Sequence, residues 1–401
     1  MPSVSFAPYR RALASRPLRQ VLVLGTLVRG PVFAGGILLT VHVVTTLGRS
    51  YAAAGLLTAV ATVAIAVSGP WRGKLLDRHG LRRVVAPSIV VALVCWSIAP
   101  FVGYWPLFAL ALLAGLFVVP TFSITRQAVI AAVPEADRRT AISLDSAAVE
   151  LSFMVAPALA VWAATQWSTA WVLFTTQMLG VLAGAAMWVV NPPLRSDTER
   201  AAPATAGPRA SWFRLPFLAM CLTAMASTVV LGGSDISIVA AMRDFDATSR
   251  IGLVLVLWGA GSLIGGLLYG ALHRPISPFW LLAALAVVTA PMALATSPWS
   301  LAAISFVAGL LCAPTITATI DQSSRLVPAE VRGEAMGWHG SFMTAGGAMG
   351  APLAGVAIDR FGFGGGFVAV AVIGVLIAVA GLTVVRVRQA GGSRAFQVTE
   401  G

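Results

Sequence analysis

Residues 73–83 read GKLLDRHGLRR and separate two long apolar runs. Gly73 and Gly80 permit a close approach of two backbones and a tight turn. Asp77, between them, carries a carboxylate that suits the positive N-terminal end of another helix. We therefore predict that this segment joins two spanning helices and that it contacts a third.

The composition is that of a membrane protein. Hydrophobic residues make up 58% of the 401 residues and charged residues 10%, against about 45–50% and 25% in soluble domains. A spanning helix needs about 20 apolar residues, so the chain is long enough for twelve, and we expect an all-α integral membrane fold. The apolar runs lie at about 20–46, 52–72, 84–103, 105–131, 140–164, 168–190, 214–241, 250–272, 279–296, 298–325, 334–358 and 363–386.

The two halves of the chain repeat one another. Pro120 recurs as Pro314 at an offset of 194, and Gly73 recurs as Gly270 at an offset of 197. Because both halves begin on the same side of the membrane in this layout, the repeat is parallel, about an axis along the membrane normal. Repeats of this kind place the substrate at their interface and rock against each other.

A polar, proline-rich segment at 191–213 interrupts the apolar runs and indicates a linker. We predict an N-terminal six-helix bundle at 1–190, this linker on the cytoplasmic side, and a C-terminal six-helix bundle at 214–401.

Basic residues are distributed unequally between the two sides of the predicted membrane. Of the 27 Lys and Arg residues, 21 fall on one side. The other six are Arg49, Arg243, Arg250 and Arg360 on the opposite side, and Arg29 and Arg126 within helices. Since cytoplasmic loops carry the excess of basic residues, both termini are expected in the cytoplasm. The net charge of +12 then orients the protein in a bacterial cytoplasmic membrane and does not indicate nucleic-acid binding.

The segment at 73–83 resembles the signature loop G-x-L-a-D-R-x-G-R-R of the major facilitator superfamily, and Gly69-Pro70 precedes it as is common in that family. The resemblance implies two pseudo-symmetric six-helix bundles and a monomer. It also implies a conformational latch in which Asp77 meets the start of helix 11 near Gly333-Glu334 and favours the outward-open state. The latch residues would be Gly73, Asp77, Arg78, Gly80 and Arg82.

Two positions depart from the family pattern. The arginine that the family often carries early in helix 4 would fall at Ala111. The antiporter signature of helix 5, G-P-x-x-G-G, is replaced by APALAV at 156–161, which weakens the case for a drug–proton antiporter. The stretch at 143–157, which contains Asp145 and Glu150, nevertheless resembles an efflux-like branch of the superfamily.

Ionisable residues inside the membrane are costly and indicate function. Arg29 and Glu150 lie at similar depth and form one predicted pair, and Arg126 and Asp145 form a second. Each pair is either a buried salt bridge that fixes packing or part of a proton path with Glu150 or Asp145 as the coupling carboxylate. The candidates for a substrate or proton pathway are Arg29, Arg126, Asp145, Glu150, Asp235 and Asp321.

The second-half candidates carry different expectations. Asp321 lies in helix 10, which the resemblance implies is a cavity-lining helix, whereas Asp235 lies late in helix 7, near the outer mouth. His339 is the repeat mate of Asp145, and we expect a structural role for it.

The sequence contains no P-loop pattern and its His residues lack metal-ligand spacing. We therefore expect no enzyme activity, no cofactor and no metal site. Together with the resemblance, the internal charges predict a secondary active transporter that exports a small organic molecule in exchange for protons. Uptake of a metabolite such as a sugar or organic acid is the alternative within transport. A non-transporting membrane sensor or scaffold is the alternative outside it.

Overall fold

The protein is described by a computed structural model that covers residues 7–201, 207–272 and 274–397. The predicted linker at 191–213 contains residues 202–206, which lie outside these ranges, as do residues 1–6 and 398–401 of the predicted cytoplasmic termini. The described α-helices are α1 (Ala7–Ala14), α2 (Arg16–Thr45), α3 (Tyr51–His79), α4 (Leu81–Ile98), α5 (Tyr104–Leu116), α6 (Thr121–Ala131), α7 (Arg138–Gln166), α8 (Thr169–Val190), α9 (Asp197–Ala201), α10 (Arg209–Trp212), α11 (Leu215–Asp244), α12 (Ile251–Ala271), α13 (Pro278–Thr289), α14 (Pro298–Arg325) and α15 (Arg332–Gln397).

Ten helical stretches of the described chain are long and apolar enough to cross a membrane, and Pro278–Leu294 is a shorter apolar stretch. The last of the ten, Ala329–Thr383, has 55 residues, enough for two crossings at about 20 residues each. Gly362 divides it, because its φ of 70° is non-helical and is readily adopted only by glycine. The all-α membrane fold predicted from the sequence is therefore confirmed. The ten stretches of the described residues, with the last counted twice and Pro278–Leu294 added, are compatible with the predicted twelve crossings.

Local sequence signals set several helix boundaries. The Oγ atom of Ser15 accepts a hydrogen bond from the amide of Leu18 and caps α2, and Ser50 caps α3 in the same way through Ala53. A serine at this position satisfies an amide that has no partner within the helix. The predicted run at 105–131 is interrupted at 117–120 in the structure, which separates α5 from α6.

The chain forms two compact units. Unit 1 comprises Met1–Arg214, Gly266–His273 and Ser323–Ala345, and unit 2 comprises Leu215–Gly265, Arg274–Gln322 and Gly346–Gly401. Unit 1 therefore holds the first six spanning helices, the linker, and short segments from three helices of the later sequence. The bundles predicted at 1–190 and 214–401 stay a prediction, since the compact units divide the later helices differently.

Each unit has its own apolar core. In unit 1, Leu38, Leu57, Leu107 and Leu173 are fully buried in one cluster built from α2, α3, α5 and α8. In unit 2, the cluster contains Met242, Met292, Leu301 and Phe367, which are also fully buried. Large apolar side chains such as Val67, Trp105 and Leu294 are exposed, as expected of surfaces that face lipid.

Candidate functional site

Asp77 caps the start of α15. Its Oδ1 atom accepts a hydrogen bond from the Gly333 amide at 2.9 Å, and its Oδ2 atom accepts one from the Glu334 amide at 2.8 Å. The first amides of a helix lack partners within the helix and lie at the positive end of its dipole. The Asp77 carboxylate from α3 therefore supplies an acceptor for these amides and a negative charge at the positive end of the dipole. Asp77, Gly333 and Glu334 all belong to unit 1.

Below this cap, α3 and α15 pack backbone against backbone. A Cβ atom on Gly73 would collide with the Gly333 carbonyl, and one on Gly69 would lie 3.1 Å from the carbonyl oxygen of Gly337. In α3, Gly69 and Gly73 are four residues apart, and in α15 Gly333 and Gly337 are four residues apart. The two glycines of each helix therefore lie on one face of it. One turn further, the Ser341 hydroxyl donates to the Ala66 carbonyl at 2.5 Å. Small residues thus allow the close approach that positions the Asp77 carboxylate.

The other residues of the signature loop serve different contacts. Gly80 has a φ of 77° and joins α3 to α4 without a connecting loop. Arg82 donates to the carbonyls of Trp188 and Val189 at 3.3 and 3.2 Å, at the end of α8. Arg78 is exposed. The structure therefore brings Gly73 and Asp77, but not Arg82, to the start of α15.

A second cluster in unit 1 consists of two arginines on one carboxylate. The Nη1 atom of Arg29 lies 2.7 Å from Oδ1 of Asp145, and Arg126 forms an ion pair with Oδ2 of the same residue. Arg29 also donates to the hydroxyl of Thr125. All three charged residues are buried, with at most 6% of their surface exposed. The cluster carries a formal charge of +1.

Three helices supply this cluster: Arg29 lies in α2, Arg126 in α6 and Asp145 in α7. The guanidinium of Arg126 also lies 5.7 Å from the centre of the Phe122 ring, a favourable cation–π distance. The structure brings Arg126 and Asp145 together as expected. Arg29, for which Glu150 was the expected partner, binds Asp145, because the two arginines reach the same side of α7.

Glu150 lies on α7 five residues after Asp145 and is half-buried, about 7.5 Å further along the helix. His339 is buried in the first turns of α15, within unit 1. Asp235, half-buried in α11, and Asp321, buried in α14, belong to unit 2.

A family model of the Major Facilitator Superfamily matches the chain at residues 22–290 and 216–398. The chain belongs to this superfamily. It is therefore a multi-pass membrane transporter and not an enzyme, as the sequence predicted. No curated protein sequence gives a significant match.

Solved structures of several transporters share the fold at low sequence identity. A bacterial homologue of the iron transporter ferroportin in an outward-facing state has a TM-score of 0.73 and 15% identity, covering 92% of this chain and 99% of that one. The human organic anion transporter MFSD10 (TETRAN) has a TM-score of 0.69 and 14% identity, covering 91% and 99%. The proton:xylose symporter XylE bound to 6-bromo-6-deoxy-D-glucose has a TM-score of 0.68 and 14% identity, covering 90% and 94%.

The linker of this superfamily member also binds the start of α15, which sequence reasoning missed. Arg195 donates to the Glu330 carbonyl at 3.3 Å, Glu199 accepts from Arg332 at 2.8 Å, and Arg209 forms an ion pair with Glu334. These charges hold the linker against the segment that Asp77 caps.

Two further contacts stabilise the docked linker. The Phe213 and Trp338 rings meet edge to face at 5.3 Å. Ser196 and Glu199 form a capping box at the start of α9, with each side chain bound to the other residue's amide. The S-x-x-E spacing of Ser196 and Glu199 is the sequence signal that could have predicted the start of helix α9 in the linker.

Proposed function

We propose that this transporter exports a small organic molecule in exchange for protons, by alternating access across a bacterial cytoplasmic membrane with both termini in the cytoplasm. The observation that carries the proposal is the pair of hydrogen bonds from the Gly333 and Glu334 amides to Asp77. A carboxylate on a helix end is a contact that can be made in one state and released in another. The excess of basic residues on the Asp77 side of the chain supports its cytoplasmic location.

Glu150 is the better of the two candidates for the coupling carboxylate. Both oxygen atoms of Asp145 are already bound by guanidinium groups, so a proton would have to displace one of them. Glu150 is only half-buried on the same helix. We therefore assign proton exchange to Glu150 and not to Asp145, whose carboxylate balances part of the charge of Arg29 and Arg126.

The charge of that cluster also bears on the substrate. Two guanidinium groups and one carboxylate leave a surplus positive charge in a buried site, which favours a ligand with a negative group. The human structural relative is an organic anion transporter and another is a proton:xylose symporter. Uptake of an organic acid or a sugar is therefore the alternative transport function, and a non-transporting sensor is the alternative of another class.

The test of export is growth of an efflux-deficient bacterial host that expresses the chain, across a panel of toxic compounds. The wild type is compared with Glu150→Gln and with Glu135→Gln, whose exposed carboxylate binds Arg325 and serves as the control. Resistance that the wild type and Glu135→Gln confer, and that Glu150→Gln does not, supports proton-coupled export. No resistance to any compound, with the protein verified in the membrane, would overturn export.

Purified protein in proteoliposomes separates the remaining alternatives. Proton flux driven by an organic acid or a sugar would support uptake, whereas no flux with any compound would support the sensor. Asp77→Asn keeps one acceptor and loses the charge, so we expect slower turnover with normal expression. Undiminished turnover would exclude a latch role for Asp77.

A further inference from the structure

The repeat mate of the Asp77 contact is formed by the end of α12. Gly73 recurs as Gly270 at an offset of 197, and the same offset places Arg274 where the first half has Asp77. The second half therefore has no carboxylate at the position that corresponds to Asp77, the residue of the first half that caps α15. Gly266–His273 nevertheless belongs to unit 1, so other groups must hold this segment there.

Hydroxyl groups replace the missing carboxylate. The hydroxyl of Thr140, in the first turn of α7, donates to the Gly270 carbonyl at 2.8 Å. The hydroxyl of Tyr9, in α1, donates to the Leu267 carbonyl at 2.5 Å. The Gly270 carbonyl is one of the last four of α12, which lack amide partners within the helix, and both carbonyls lie toward its negative end, so hydroxyl donors suit this end as a carboxylate suits the start of α15.

Gly270 makes these contacts possible. A Cβ atom at Gly270 would lie 2.6 Å from the Cβ atom of Ser143 and would collide with the Tyr9 hydroxyl. The guanidinium of Arg139 lies 5.7 Å from the centre of the neighbouring Tyr269 ring. The end of α12 is therefore held by α1 and the start of α7 together.

The helix α1 is itself anchored to the first half. Arg11 binds Asp137 through Nη2 at 2.7 Å and Nε at 3.3 Å, and the Ser15 hydroxyl donates to the Ala132 carbonyl at 3.0 Å. Tyr9 and Ala12 are buried. Burial raises the pKa of Tyr9 to about 12, so its hydroxyl keeps the donated proton throughout the physiological range.

We propose that α1 and Thr140 form a second latch, which holds the end of α12 with hydroxyl donors while Asp77 holds the start of α15. The proposal rests on the alternating-access function proposed above: both latches keep the cytoplasmic side closed and both release when it opens. Tyr9 and Thr140 are positioning residues in this scheme and do not contact substrate.

The test measures how often the cytoplasmic side opens. Gln127 is buried and its amide lies beside Gly333, so Gln127→Cys reports opening by its reaction with a maleimide added from the cytoplasmic side. The background lacks the three native cysteines Cys95, Cys221 and Cys312, which are all buried. The test variants are Tyr9→Phe and Thr140→Val, each of which removes a hydroxyl and keeps the bulk of the side chain.

Tyr104→Phe is the matched control. The Tyr104 hydroxyl donates to the Ala53 carbonyl at 2.9 Å, so it is also a buried tyrosine bound to a helix carbonyl, but it lies away from the latch. We expect Tyr9→Phe and Thr140→Val each to speed maleimide reaction about three- to tenfold, as expected for the loss of one hydrogen bond from the closed state. Tyr104→Phe should leave the rate unchanged.

The second latch is excluded if Tyr9→Phe and Thr140→Val react at the rate of Tyr104→Phe with equal thermal stability. The maleimide reaction needs no substrate, so it separates the two proposals. Faster reaction without any transport would keep the latch and reject the transport function. Transport that depends on Glu150, with maleimide rates unchanged in Tyr9→Phe and Thr140→Val, would keep the transport function and reject the second latch.

Discussion

At the scale of single residues, Asp145 is the counter-charge of two buried guanidinium groups. Asp145→Asn would leave both arginines buried without a counter-charge, and breaking a buried pair in this way costs about 3–5 kcal/mol. We therefore expect a clear loss of thermal stability for the purified protein. Glu150→Gln, on the same helix but half-buried, should cost much less.

A double variant distinguishes charge from packing in this prediction. Arg29→Gln combined with Asp145→Asn leaves one unpaired guanidinium in place of two, so the double variant should be more stable than Asp145→Asn alone. Additive losses in the thermal melts would show that the Arg29–Asp145 pair contributes no coupling energy.

Gly73 is the residue that limits the approach of α3 to α15. In Gly73→Ala the new methyl group would collide with the Gly333 carbonyl and crowd the Glu334 amide. Because both are backbone atoms of a packed helix, the helices must separate and the Asp77 hydrogen bonds must lengthen. We expect lower thermal stability and faster maleimide reaction at Gln127→Cys.

Gly55 provides the control for this substitution. It lies in the same helix, and a Cβ atom there meets nothing within 4 Å. Gly55→Ala should leave both measurements near the wild-type values. Equal effects of the two alanines would assign the loss to helix α3 itself and not to its contact with α15.

The residue scale also shows what sequence reasoning can reach. The contact between Asp77 and the start of α15 followed from the resemblance of a short loop, because that contact depends on a local pattern. The sharing of Asp145 by two arginines did not follow, because depth in the membrane gives no information about the face of α7 toward which each side chain points.

At the scale of elements, the linker is held to the start of α15 by charge. Burial acts to raise the pKa of Glu199, but its hydrogen bond and attraction to Arg332 outweigh that effect and lower the pKa from its ordinary value of 4.5. A carboxylate with a lowered pKa stabilises the docked linker above its ordinary pKa and loses that contribution as the pH falls through the lowered value. We expect the amides of α9 and α10 to be most protected from hydrogen exchange, after correction for the intrinsic exchange rate at each pH, near neutral pH, and to lose protection only at a pH below 4.5.

Limited trypsin digestion checks the same interaction at neutral pH. Glu199→Gln should speed cleavage in the linker after Arg209, which pairs with Glu334 when the linker is docked. Asp197→Asn is the control, because Asp197 is exposed and binds only the neighbouring Arg200 among the described contacts. Equal cleavage rates for the two variants would contradict a role for Glu199 in linker docking.

Elements differ in how far the sequence predicts them. The apolar runs located the spanning helices, since burial in lipid needs long stretches of apolar residues. The break at 117–120 was missed because it lies inside an apolar run that looks continuous. The short helix α1 was missed because it lies in the basic segment before the first apolar run. The docked linker was also missed, because its charges find partners about 130 residues away in the sequence.

At the scale of the whole molecule, the two latches act on opposite kinds of helix end. Asp77 accepts from the amides at the start of α15, and Tyr9 and Thr140 donate to the carbonyls near the end of α12. Both sets of contacts join the first half of the chain to short segments of the second. The repeat therefore places a helix-end contact at corresponding positions in the two halves, but the binding groups differ, since the second half has Arg274 where the first has Asp77.

Orientation in the membrane decides which side these latches close. Arg49 and Arg78 are both exposed and flank α3 at its two ends, so a single spanning helix places them on opposite sides. The orientation proposed from the excess of basic residues would put Arg78 in the cytoplasm and Arg49 outside. In the cysteine-free background, we expect Arg49→Cys to react with a membrane-impermeant maleimide in intact cells, and Arg78→Cys to react only after permeabilisation. The opposite pattern would place Asp77 outside, where its hydrogen bonds to α15 would close the outer side and favour an inward-open state.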